Sequence, residues 1–475
     1  VLRIFDIDAV PLEVHADELA GLVGMANIVH GRAPFLPFFD LRVQYLPLYG
    51  FLEYGSTRLF GDVPFAMRLP AVLFGVVSVA ALRWLVLELV ASVAVADTAA
   101  ALFAVLPWAV HLARIAWEPA AVFPFLLGGL AALAAGLRLR SGRYVVFAGL
   151  LLGIGVYSYR AEAFDGALLA ATLLLADRRR ARALPGGLLA GAGVTVACVA
   201  PLAFAVFMHP HFFWRDEGIA TFGHGVTPAA VATFVHNYAA HFALDSLFAT
   251  GDGFLDHGPR YGVLYWWMLP FTLFGIAAAW HTVRRPSALL FYVWLLLYPL
   301  GGALTNDGVP DFPRTLIGAP LACIFTALGL RFTWRLWPPR DAAATRKRDF
   351  VAAAFGVIVA VSVLDFCRNY FFVYPAESAD AFRYGTASLF KTVRGFEGSY
   401  ERVCFDSLDW YNYETLTGYY LADSPLIAVE ANLDACVAPR SLIVVSDPAK
   451  TLPNTRLLAT QQNYEGRIID YIYGT

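Results

Sequence analysis

His15-Ala16-Asp17-Glu18 sets two adjacent carboxylates ahead of the first long apolar run and opens an amphipathic segment, Asp17 to Arg32. Two acids side by side at a membrane boundary have a plain reading, helix N-terminal charges favoured by the dipole, and a chemical one, a proton acceptor and its neighbour facing a substrate. The rest of the chain supplies the membrane. It has 475 residues, 59% hydrophobic and 15% charged, with a mean hydropathy of +0.59, the composition of a polytopic membrane protein. A net charge of −2 and the lack of a basic tract with interleaved aromatics exclude nucleic acid as a partner.

From Val1 to about Pro64 the pattern is mixed: the amphipathic segment from Asp17, a Pro-rich turn at Pro34 to Pro37, and a second helical stretch from Tyr45 to Leu59. Neither stretch is apolar enough to span, so both are expected along the membrane surface. Ten apolar runs follow, near 69–91, 96–113, 119–137, 144–160, 163–176, 184–208, 262–280, 288–304, 315–331 and 350–366. About 20 helical residues cross a hydrocarbon core of ~30 Å, and the short run at 163–176 can be lengthened through Tyr159 to Glu162. The sequence starts at Val1 without a signal-peptide pattern and is expected to lack its true start, which leaves a first anchor undetermined.

Arginines collect at Arg138, Arg140 and Arg143, at Arg178 to Arg182, at Arg284 and Arg285, and from Arg331 to Arg348. Counted through the spans, all four clusters fall on one side, which the positive-inside rule assigns to the cytoplasm. The acidic pair, the loop 209–261, the loop 305–314 and the tail after residue 366 then share the opposite face. The loop carries His209, His211, Asp216, Glu217, His224, His236, His241 and His257 without a metal-binding helix spacing, and is read as solvated or substrate-facing. The tail, 367–475, changes to a soluble composition. Short β-rich runs at Arg402 to Cys404 and Ser441 to Ser446, a helical stretch at Trp410 to Tyr420 and a last run at Arg467 to Tyr473 suggest a small α/β unit. Of five cysteines, Cys404 and Cys436 lie in this tail and are candidates for a disulfide.

Three outer segments can carry chemistry. The first is the acidic pair. In the second, Arg114 precedes Glu118 by four residues, a spacing that also suits a surface ion pair. The third runs from Asn306 to Arg314, where a lone Arg at the head of a span is either a snorkelling charge or an anion ligand. Arg260 and Arg160 are weaker candidates of the same kind.

With Gly31-Arg32, Tyr45-Leu46-Pro47-Leu48, Leu59-Phe60-Gly61 and Arg68-Leu69-Pro70, the layout of about residues 1–365 resembles the GT-C glycosyltransferases, in particular the protein O-mannosyltransferase and lipid A aminoarabinose transferase group. The resemblance implies an all-α polytopic bundle (residues 1–366) with surface helices in its first outer loop, and a small extracytoplasmic α/β domain (367–475). It implies inverting transfer of a sugar from a polyprenyl-phosphate donor to a hydroxyl or phosphate group of a lipid, glycan or protein acceptor outside the cytoplasm. Catalytic roles then fall on Asp17, Glu18 and Glu118, donor-phosphate contacts on Arg314, Arg260, Arg114 and Arg160, and a divalent metal on Asp17 and Glu118. Glu118 stands where Asp is common in the family. The alternatives are a transporter or flippase, whose charges belong near the midplane, and a non-catalytic membrane scaffold.

Overall fold

A computed structural model describes residues 1–32, 47–208, 218–339, 341–406, 408, 410–430, 436, 438–450 and 454–475. The Pro34 to Pro37 turn, Tyr45, His209, His211, Asp216 and Glu217 lie outside the described residues. Helix α1 (Ala16–Val29) begins in a capping box in which histidine takes the usual hydroxyl's place: His15 Nδ1 accepts from the Asp17 amide, and Glu18 accepts from the His15 amide at 3.0 Å. Helices α2 (Pro47–Phe60) and α3 (Pro64–Val90) follow, and Pro64 at the first helical position of α3 removes an amide that would have no partner there.

Each of the ten apolar runs holds helix. Five helices are long and apolar enough to cross a membrane: Pro64–Val90, Glu118–Leu139, Pro185–Met208, Arg285–Ala303 and Ala342–Ser378. Val93–Val105 and Gly142–Gly155 are shorter. The run at 96–113 breaks at Leu106, which is extended before Pro107, because proline's ring disfavours helical backbone in the residue preceding it. The run at 163–176 is lengthened, as its flanking residues allow, to Arg160–Ala176. The most apolar 18 residues of Glu118–Leu139 are 94% buried, whereas those of Pro185–Met208 and of Ala342–Ser378 are each 11% buried. Apolar helices left uncovered at the rim are arranged for a hydrocarbon solvent.

The arginine clusters gather at one end of the bundle. Arg138 pairs with Glu88 at the end of α3, Ser287 donates to the neighbouring Leu89 carbonyl, and Arg284 and Arg180 share Asp177. The helices Met268–Thr282 and Gly318–Leu336 run parallel, with Thr272 bonded to Thr326 at 2.8 Å and Gly275 set against Gly329 three residues further on. Arg284 and Arg335 therefore leave the bundle at the same end. Helix α3, 27 residues or about 40 Å long, carries Arg68 at the other end.

The tail begins later than its composition suggests. The helix Ala342–Arg368 continues through a π turn, Asn369–Val373, into Tyr374–Ser378, and Tyr370, Tyr374 and Phe382 are buried in the core of the helical bundle. Beyond it stands a five-stranded mixed sheet, ordered β2-β1-β3-β5-β4, from β1 (Arg402–Phe405), β2 (Ile427–Glu430), β3 (Ser441–Val445), β4 (Arg456–Gln462) and β5 (Ile468–Gly474). β1 is parallel to β2 and β3, while β5 is antiparallel to β3 and β4. Cys404 and Cys436 are disulfide-bonded, with Cα atoms 6.3 Å apart. This domain has no separate floor: Leu389, Phe390, Val403, Phe405, Leu416 and Leu442 share one buried cluster with Leu19, Leu22 and Tyr49 of α1 and α2.

A side chain at Gly275 or Gly329 would run into the backbone of the facing helix at Phe325 or Phe271. Gly329→Val is therefore expected to separate these helices and cost on the order of 1–3 kcal/mol, the usual penalty for overpacking, read as a lower unfolding midpoint of the detergent-solubilised protein.

Candidate active site

Two buried arginines hold the amino-terminal segment against the bundle by its carbonyls. Arg114 donates to Leu2, Asp6 and Val10 and lies over the rings of Tyr370 and Phe371. Arg68 donates to Ile7, Pro11 and Glu13, and its Nε and Nη2 meet Glu18 at 2.9 and 3.1 Å. Glu18 also accepts from the Ala116 amide at 2.7 Å, so the second outer loop ends on the same carboxylate. Burial alone would raise the Glu18 acid, but Arg68 and these amides hold it below the ordinary carboxylate range.

Asp17, one residue earlier, faces the other way. Its side chain is 23% exposed, with His15 Nδ1 3.5 Å from it. Together with Asp256, from the loop after the π turn Ser246–Thr250, His15 and Asp17 offer one nitrogen and two carboxylate ligand atoms, all within 4.8 Å of one another. A nitrogen and two carboxylates on partly open side chains fit a borderline divalent cation such as zinc or manganese. Glu118 is not part of this group; the acid that joins Asp17 comes from the loop instead.

Residues 252–257 connect the outer segments. His257 bonds Asp252 at 2.8 Å and stacks on Trp117, ring centroids 5.8 Å apart. Burial pulls the His257 imidazole down, but the Asp252 hydrogen bond and charge bring it up to about 9. Asp252 also accepts from the Phe312 amide, next to Asp311. Asp311 and Asp307 engage Arg314 at 3.2 and 3.1 Å, and Arg314 Nη1 donates to Thr305. His241, in the same loop, is a buried structural histidine: Nδ1 bonds the Asn237 carbonyl and Nε2 accepts from the Asp311 amide, so the ring is neutral. Tyr159, at the head of the helix Arg160–Ala176, lies within reach of the charges of Asp311, Arg314, Glu118 and Arg160.

Two spaces meet at Asp17. A small hollow is lined by His15, Asp17, Glu18, Ile115, Trp117 and Asp256, and a cavity of about 520 Å³ extends from His15 and Asp17 to the C-terminal domain. Asp17, Trp117 with its neighbour Glu118, and the loop leading to Arg314 are thus joined by direct contacts. Arg260 is exposed in the connecting loop.

Two of the expected site residues are deeply buried. Arg114 is 0% exposed and spends its Nη donors on the amino-terminal carbonyls, and the chain leaves helix at Ala113, so no helical Arg114–Glu118 pair forms. Glu18 is 2% exposed and accepts four hydrogen bonds, so it anchors Asp17. His15, Asp252 and Asp256 are gains of the structure. His15 stands in the quoted motif, but only its cap geometry marks it, and nothing in the spacing of Asp252 and Asp256 marks either. Glu53 of α2 is fully buried with neither carboxyl oxygen hydrogen-bonded among the described residues; burial first, and then the charges of Glu18 and Glu118, push its acid well above the ordinary range.

Removing one partner of a buried pair strands the other charge, at a cost of ~3–5 kcal/mol. Arg68→Met is accordingly expected to abolish the monodisperse, folded protein on size exclusion, whereas Asp17→Asn, at a partly open position, leaves the elution profile unchanged.

Residues 46–204 match the family model described as dolichyl-phosphate-mannose-protein mannosyltransferase. No curated protein matches the chain in sequence. Among solved structures, ArnT from Cupriavidus metallidurans bound to undecaprenyl phosphate is similar with a TM-score of 0.62 and 13% identity, over 99% of this chain and 96% of that one. The Archaeoglobus fulgidus oligosaccharyltransferase tethered with an acceptor peptide aligns with a TM-score of 0.56 and 13% identity, over 93% of this chain and 66% of that one; its complex with Zn and sulfate aligns at 0.52 and 14%, over 92% and 61%. None of these proteins is a transporter, and the transport alternative gains nothing from them. The end-to-end match leads to one conclusion: the chain has the same fold as the membrane protein ArnT.

Proposed function

We propose that the chain transfers a hexosyl or pentosyl unit from a polyprenyl phosphate to an acceptor hydroxyl at the outer face of a cell's inner or plasma membrane. The observation that carries this is Asp17: an accessible carboxylate on a rigid, fully bonded neighbour, at the junction of a hollow on the bundle side and a cavity on the domain side. Support for the orientation comes from the arginine-rich end of the bundle, which lies opposite Asp17 and suits the cytoplasm. The ArnT structure holds undecaprenyl phosphate, and a lipid of that class suits a site beside uncovered apolar helices.

Asp17 accepts the proton of the attacking hydroxyl, whose oxygen bonds the anomeric carbon while the bond to phosphate breaks, a single displacement that inverts the centre. The phosphate leaves with the electron pair and needs positive charge aimed at it. Arg314 and Arg160, whose charges both reach Tyr159, are the candidates on the bundle side, and Arg260, exposed in the loop, is a third. Glu118, whose charge also reaches Tyr159, orients the sugar hydroxyls. His15, Asp17 and Asp256 would hold a divalent cation, which supplies further positive charge beside the departing oxygen.

General-base contributions run to ~10²–10⁴-fold, so Asp17→Asn is expected to lower transfer from a synthetic undecaprenyl-phosphate sugar at least a hundredfold while undecaprenyl phosphate still binds; full transfer by this variant would remove Asp17 as the base. Dialysis against EDTA is expected to stop turnover, with zinc or manganese restoring it. Turnover unaffected by chelation would remove the cation.

A further inference from the structure

We propose that the cavity between α1 and the C-terminal domain is the acceptor site, and that it takes the hydroxyl-rich face of an uncharged glycan. The inference rests on Asp17 being the base, and it settles the acceptor class that the transferase reading leaves open. Position comes first. Asp17 and His15 line both the small hollow beside Trp117 and this cavity, so a donor reaching Asp17 from the bundle leaves the domain side for the partner. At about 520 Å³ the cavity falls within the ~300–1,000 Å³ that encloses a small ligand.

Its chemistry comes second. Three carboxylates, Asp17, Asp380 and Asp470, face one guanidinium, Arg383. Beyond the residues that would hold the cation, Asp380 and Asp470 outnumber Arg383, so a phosphate there meets net negative charge, whereas sugar hydroxyls are donors that carboxylates accept in strong, charge-assisted hydrogen bonds. Asn412, Thr386 and Ser446 add groups that both donate and accept, and Leu389, Leu408 and Tyr384 present apolar surface to the C–H face of a ring. Polar groups that fix orientation within a partly apolar wall are the usual make-up of a small-ligand site.

The sheet argues against a peptide. Ser446 follows β3 and Asp470 lies in β5, and both strands are interior to the sheet, paired on each side. Among the described residues, the free edge strands β2 and β4 contribute nothing to the cavity lining, so these offer no unpaired strand backbone there for a peptide to extend. The group transfer is unchanged in its balance: the glycan oxygen bonds the anomeric carbon, its proton passes to Asp17, and the electron pair of the broken bond leaves on the prenyl phosphate.

The test uses the full chain in detergent on an array of immobilised neutral oligosaccharides, phosphorylated oligosaccharides and Ser/Thr-rich peptides, with undecaprenyl phosphate binding followed separately by native mass spectrometry. Asp380→Lys and Ser446→Trp alter exposed positions on the cavity wall, one in charge and one in volume. Retention on neutral glycans is expected for the parent chain and at least a tenfold loss for each variant, with lipid binding unchanged in all three. Retention on phosphorylated glycans or peptides instead, no retention on any glycan, or variants equal to the parent would overturn the acceptor assignment. A parent chain that fails to bind undecaprenyl phosphate counts against the transferase reading itself, a result distinguishable from failure on the array alone.

Discussion

The guanidinium of Arg68 and the carboxylate of Glu18 hold this end of the molecule in one arrangement. Arg68 has five N–H donors, and all five are placed: two on Glu18 and three on the carbonyls of Ile7, Pro11 and Glu13. Glu18 takes its remaining two hydrogen bonds from the His15 and Ala116 amides. A buried ion pair is weak support for stability unless every lone pair and proton is satisfied, and here each one is. The consequence is geometric. The amino-terminal segment, α1, α3 and the second outer loop meet at one carboxylate, and Asp17 is fixed relative to all of them through a single peptide bond.

A reactive carboxylate gains from such a neighbour. Proton transfer requires the acceptor within hydrogen-bond reach of a hydroxyl, and a base on a loose loop would lose that placement. The C-terminal domain adds to the constraint, since its inner face and the buried faces of α1 and α2 form one apolar cluster. The domain is the second wall of the site, with Asp17 at the seam. The loop 252–257 supplies the remaining continuity: Asp256 turns to Asp17, Asp252 turns to Phe312, and His257 between them stacks on Trp117.

Much of the helical bundle can be read along the chain because lipid imposes a simple rule on composition. Each of the ten apolar runs is helix, since backbone groups in hydrocarbon must bond within their own segment. The rule fails where a polar surface returns. The run at 350–366 predicts an end near Phe366, yet Tyr370, Tyr374 and Phe382 keep the chain packed on the bundle beyond it, because aromatic residues with hydroxyls read as interface rather than span. Strands β2 and β4 are unexpected for a related reason. Ile427–Glu430 is short, and Arg456–Gln462 mixes polar and apolar residues on both faces without alternation, so each owes its conformation to the neighbour it pairs with.

The sequence by itself determined the membrane class, the helical runs and the common side of the arginine clusters, since each is written in local composition. Tertiary structure alone decided which of the acids and arginines are enclosed and which stand open. Asp17 and Glu18 are adjacent and chemically alike, yet one opens on a cavity and the other is enclosed by four donors contributed by residues as distant as Arg68 and Ala116. Arg114 and Arg314 look equivalent as lone cations at the outer ends of spans, yet one is buried among backbone carbonyls and the other stands at the head of a helix near Tyr159. Burial and hydrogen-bond partners are properties of segments far apart in the chain. A charge at a given position carries no mark of them until the chain has folded around it.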